Sequence, residues 1–147
     1  MRHRSKGCRL RSARDGYDMN DNRGKKVPGG SAPEATPRRV ALVTLGCKVN
    51  QCESAVMAEA LSARGYRLTA FRSKADVYLI NTCTVTRKTD YQCRQLIRRA
   101  HKANPAAQII VTGCYAQIAP EALARIPGVS LVLGNAEKQR IADFIAA

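Results

Sequence analysis

The 147-residue chain has no tryptophan, two phenylalanines and five tyrosines, so aromatics make up 5% of it. A flavin-binding electron carrier is poorly served by that supply, because Tyr66, Tyr78, Tyr91 and Tyr115 fall in different predicted elements. Single-base reading also needs stacking surfaces that the chain has few of. No CxxC is present, which argues against thioredoxin-type exchange. Neither GxGxxG nor GxxxxGK[ST] occurs, so nucleotide binding has no motif behind it. The two histidines, His3 and His101, are isolated and make poor ligands. No apolar run approaches the roughly 18 residues of a membrane span. The opening MRHRSKGCRLRSARDGY is charged throughout and has no apolar h-region, so it does not read as a secretory signal. These absences predict a cytoplasmic protein without a membrane partner, whose six cysteines are reduced thiols.

Charge is plentiful, at 25 Lys and Arg against 11 Asp and Glu, a net +14. Residues 1–38 contribute +6 of this, in a stretch of Gly, Pro, Ser and charged residues with almost no aliphatic periodicity. That composition predicts a disordered basic extension, either a solvated leader or a tail that touches RNA. Residues 39–147 contribute the other +8 and hold the folded domain.

From Arg39 onwards, apolar runs alternate with helical patterns. The expected order is strand 39–45, helix 50–64, strands 66–71 and 76–81, helix 86–103, strand 108–112, helix 118–125, strand 130–133 and helix 136–146. Gly65, Asn104-Pro105 and Pro127-Gly128 punctuate it. Five strands with helical crossovers predict an α/β fold, a doubly wound, mainly parallel sheet of flavodoxin-like or Rossmann-like type. Three of the apolar runs end in a small or polar pair and then a cysteine: TLGC at Cys47, INTC at Cys83 and VTGC at Cys114. Right-handed crossovers bring parallel strands to an end at the same edge, so the three thiols are expected together at the carboxyl edge, where such sheets bind ligands. None of the three is followed six residues later by arginine; the positions hold Glu53, Thr89 and Pro120. A phosphate-cradling cysteine loop is therefore not indicated.

Around these thiols several residues carry two readings. Asn50 with Glu53 reads as a cap and capping-box partner for the first helix, or Asn50 as a hydrogen-bond neighbour of a ligand at Cys47. Cys47 falls beside that helix's positive end, which favours a thiolate. Cys93, Leu96, Ile97 and Ala100 recur at helical spacing, so Cys93 reads as a small core residue. Arg87, Lys88, Arg94, Arg98, Arg99 and Lys102 occupy the polar side of that helix, as a solvated face or a phosphate-tracking surface. Cys52 lies near Cys47 in sequence without a clear role, and Cys8 stands alone in the extension.

Three soft ligands suit zinc or an iron-sulfur cluster. TLGCKVNQCES, INTCTVT, RQLIRRA, VTGCYAQ and LVLGNAEK together resemble the N-terminal domain of the radical-SAM methylthiotransferases. The words CKVNQ, NTCTVT and TGCYAQ are most similar to the tRNA enzymes that methylthiolate threonylcarbamoyladenosine beside the anticodon. The resemblance implies that Cys47, Cys83 and Cys114 ligate an auxiliary 4Fe-4S cluster with one open iron. It also implies that the complete enzyme carries a CxxxCxxC triad for a second 4Fe-4S cluster and S-adenosylmethionine, and acts on tRNA. The 147 residues contain no CxxxCxxC. The expectation is thus a cluster-binding domain that does not complete the reaction alone, binds tRNA weakly at best and works with a separately encoded radical-SAM domain. Position 52, commonly Tyr in the similar tRNA enzymes, is Cys here. The competing reading is a non-enzymatic iron-sulfur or zinc-binding module acting as a sulfur carrier or interaction partner.

Overall fold

Runs such as VALV, VYLI and QIIV form strands because β-branched and aliphatic side chains fit a sheet buried on both faces. A computed structural model describes residues 36–83 and 86–145. In chain order the elements are β1 (Arg39–Thr44), α1 (Lys48–Ala63), β2 (Arg67–Thr69), β3 (Val77–Thr82), α2 (Arg87–Ala103), β4 (Gln108–Gly113), α3 (Cys114–Ile118), α4 (Pro120–Ala124), β5 (Leu131–Leu133), a 3-10 turn (Lys138–Arg140) and α5 (Ile141–Phe144). Every strand pair is parallel, and the order across the sheet is β2-β1-β3-β4-β5. The predicted fold class holds.

Alternate residues along the strands feed two cores. Val40, Val77, Leu79 and Ile110 pack with Met57 and Leu61 of α1 and Ile141 of α5. Ala41, Tyr78, Ile80, Ile109 and Val111 pack with Cys93, Ile97 and Ala100 of α2, Tyr115 of α3 and Leu123 of α4. Helices therefore cover both faces, as a doubly wound sheet requires. The strand order reverses between β1 and β3, and their carboxyl ends form the topological switch point where such sheets bind ligands.

Three elements depart from the sequence reading. Strand 66–71 contracts to β2, because Tyr66 N–H closes the end of α1 onto Leu61 O and Ser73 N–H turns back to Ala70 O. Helix 118–125 contracts to α4, which Pro120 opens because it cannot donate within an existing helix, and a separate α3 that the sequence reading did not include starts directly at Cys114 and ends at Ile118. Helix 136–146 becomes the 3-10 turn and the short α5. Residues 1–35 of the predicted extension, with Cys8, lie outside the described residues. Among the described residues no helix is long and apolar enough to cross a membrane.

Candidate metal centre

Cys83 and Cys114 are the first residues beyond β3 and β4, and Thr82 and Gly113, which precede them, are partners across the sheet. Cys47 is the third residue beyond β1, with Leu45 N–H still donating to Asn81 O of β3 at 2.8 Å. The three cysteines thus end three adjacent strands at one edge. Cys47 is exposed and is the N-cap of α1, while Cys83 and Cys114 are half-buried.

Two glycines make this edge possible. Gly46 has φ +107°, and a Cβ there would lie 1.9 Å from Cys83 Cβ and 2.6 Å from its Sγ. The Cys83 side chain occupies that space, so the residue next to Cys47 has to be glycine. Gly113 has φ 105° and ψ −168°, a region that is essentially glycine-only. A Cβ there would meet Thr82 O at 2.1 Å and Asn81 Oδ1 at 2.9 Å.

Asn50 does not cap α1. It lies inside the helix, 2% exposed, and its Nδ2 donates to Leu45 O at 3.1 Å and Thr82 O at 2.7 Å. One carboxamide therefore clasps the turn leading to Cys47 to the residue before Cys83. Asn81 returns the contact: its Nδ2 donates to Asn50 O at 3.1 Å and Ser54 Oγ at 2.9 Å. Thr44 Oγ1 donates to the same Ser54 hydroxyl at 2.6 Å. Thr82 Oγ1 donates to Thr112 O at 2.6 Å, joining the β3 and β4 ends. Asn81 Oδ1 is buried without a hydrogen-bond partner, on the side that a Cβ at Gly113 would fill. Glu53 serves no capping box either, because its Oε2 lies 2.5 Å from the buried Lys138 ammonium. Spacing marks Asn50 and Ser54 as buried, since they continue the stripe of Met57 and Leu61 along α1, but it does not name the carbonyls they meet.

Beyond Cys114, Tyr115 donates its hydroxyl to Asp90 of α2, and Arg94 Nε lies 3.0 and 3.1 Å from the two Asp90 oxygens. The Tyr115 hydroxyl, with help from Arg94, holds the Asp90 carboxyl below the usual aspartate range. A carboxylate depressed in the fold adds stability above its unfolded value, about 3.9, and that stability is lost as pH falls through the lower folded value. Asp90→Asn should therefore lower the melting temperature at pH 7, and the gap from wild type should close as pH falls below about 4, as a thermal melt series will show.

Cys93 is separated from the edge. It is fully buried in the α2 layer, and burial pushes its thiol up to about 12. Iodoacetamide at pH 8 should label exposed Cys47 in the native protein and Cys93 only after unfolding, as peptide mapping will read.

The thiols suit a soft metal by donor chemistry, and their place at the switch point suits a bound group. As they stand, no group of three His, Cys, Asp or Glu side chains among the described residues is arranged to hold a metal ion. What the structure shows of the set is the shared position of the three cysteines at the ends of β1, β3 and β4.

Residues 39–134 match the family described as Uncharacterized protein family UPF0004. The chain is 46% identical over 106 residues to the threonylcarbamoyladenosine tRNA methylthiotransferase MtaB of Bacillus subtilis, covering 72% of this chain and 24% of that protein. It is 44% identical over 107 residues to MtaB of Aquifex aeolicus, covering 73% and 26%. The tRNA-2-methylthio-N(6)-dimethylallyladenosine synthase of Cereibacter sphaeroides is 38% identical over 112 residues, covering 74% and 26%. The chain spans about a quarter of the length of these curated relatives. With that match over most of its folded part, the chain belongs to family UPF0004.

Proposed function

We propose that residues 39–147 are the cluster-binding domain of a cytoplasmic radical-SAM methylthiotransferase acting on threonylcarbamoyladenosine beside the tRNA anticodon, with Cys47, Cys83 and Cys114 as ligands of one 4Fe-4S cluster. The observation that carries this reading is the alignment of the three cysteines at the ends of β1, β3 and β4, with Asn50 clasping two of the turns. The names of the relatives supply the reaction and the RNA.

When bound, a cluster with three thiolate ligands supplies an open iron on which a sulfur species can be held. This chain's residues hold and shape its surroundings. Cys47 stands exposed as the N-cap residue of α1. Gly46 leaves room for Cys83, and Asn50, Ser54 and Asn81 fix the turns before the sulfurs are engaged. S-adenosylmethionine and a second cluster belong to a CxxxCxxC-bearing domain, a motif absent from these 147 residues.

Anaerobic reconstitution should load roughly four irons and four sulfides per chain. One equivalent of zinc without sulfide would instead support a zinc module. Supplied with S-adenosylmethionine, reductant and tRNA, the loaded 147-residue chain should form neither 5′-deoxyadenosine nor methylthiolated tRNA; mass spectrometric detection of either product contradicts the assignment of radical chemistry to a separate domain.

A further inference from the structure

The arginines and lysines of α2 do not form a uniform face. Arg94 is taken up by Asp90. Arg98 and Lys102, each four residues further along the same edge, are exposed, and no carboxylate among the described residues pairs with them. That edge turns toward α4, where the chain brings up Arg125, whose nearest carboxylate, Glu121, stands 4.0 Å away with both side chains more than four-fifths exposed. Between the helices lies a cleft of 340 Å³. Arg94, Arg98, Lys102, His101 and Arg125 line it over an apolar floor that includes buried Ile126. His101 is seated against Gly128, φ +96°, where a Cβ would come within 2.9 Å of Nδ1.

Cations converging from two helices on one concavity, with no carboxylate in its lining, suit the singly charged oxyanion of a phosphodiester. From the geometry we infer that this cleft is a backbone-phosphate site for RNA, a positioning contact on the flank of the domain. The inference rests on the RNA-modifying role proposed above and names the surface that meets the RNA. Arg98 stands twelve residues beyond the N-cap Thr86 of α2, or about 18 Å along the axis at 1.5 Å per residue. A phosphate held there lies on the flank of the domain, toward the far end of α2 from the thiol edge. The contact supplies register and affinity, and it reads no base.

The test is filter binding of an unmodified tRNA transcript to the full chain over a salt series. Arg98→Ala/Arg125→Ala should weaken binding about 10-fold at 0.1 M salt and reduce the log-log salt slope by about 1.4 to 1.8, the equivalent of two contacts. Arg72→Ala/Lys74→Ala removes the same charge from an exposed loop away from the cleft and should stay within about threefold of wild type. Equal losses in both variants, or an unchanged slope in the cleft variant, would overturn the site. So would polyglutamate competing as well as single-stranded RNA of equal charge. If the alanine variant loses its circular dichroism spectrum, Arg98→Gln/Arg125→Gln keeps the stems and decides the matter. Iron and sulfide loading of the cleft variant should match wild type, so a failure of the phosphate site is distinct from a failure of the cluster reading.

Discussion

Gly113→Ala is expected to be strongly destabilising. The added Cβ would lie 2.1 Å from Thr82 O and 2.7 Å from Thr82 N, both backbone atoms of the central strand β3. The residue would also be held at φ 105°, ψ −168°, outside the range of L side chains. Strain of the second kind costs about 1 to 3 kcal/mol, and overpacking a tight contact costs a similar amount. A loss of about 3 kcal/mol or more should lower the melting temperature by roughly 10 °C or more. Gly65→Ala serves as the control, because Gly65 has positive φ but open space around its Cβ position. It should lose only the conformational part, and equal losses at both positions would show that the β3-β4 approach beside Cys114 is not tight.

The second large effect is expected at Asn50. Asn50→Ala removes the donor to Leu45 O and Thr82 O and leaves two inward-facing carbonyls unsatisfied, at about 1 to 3 kcal/mol for each group. Asn50→Asp should be worse at neutral pH, because it sets a carboxylate oxygen 2.7 Å from Thr82 O where a donor stood. The ranking of wild type above Asn50→Ala above Asn50→Asp should appear in urea unfolding at pH 7. The same ranking should hold for iron retained after gel filtration, because the clasp fixes the turns that carry Cys47 and Cys83. A cap alone would place Asn50→Asp level with wild type and Asn50→Ala below both, since aspartate caps a helix as well as asparagine does.

The sheet and the cysteine edge were legible in the sequence because both rest on periodicity. Apolar runs mark parallel strands, crossovers set the edge, and Cys93 falls in the α2 stripe by spacing alone. The clasp was not legible for a physical reason. A Ser or Asn near a helix start usually satisfies that helix's own amides, and only the three-dimensional meeting of β1, β3 and α1 gives Asn50 two carbonyls 5 and 32 residues away. Gly46 was equally silent, since the side chain that fills its place belongs to Cys83, far along the chain. The start of α4 was signalled by Pro120, whereas α3, which begins directly at Cys114, was not expected. The cleft depends on Arg125 and His101, which sequence spacing does not relate; the α2-α4 packing brings them together.

The measurement that bears most directly on the central claim is an anaerobic crystal structure of the iron-reconstituted chain. The account predicts one 4Fe-4S cluster at the carboxyl edge of β1, β3 and β4, with the sulfurs of Cys47, Cys83 and Cys114 each on a different iron and the fourth iron without a protein thiolate. A cluster ligated through Cys52 or Cys93 in place of one of the three, or a single zinc ion at that edge, would contradict it.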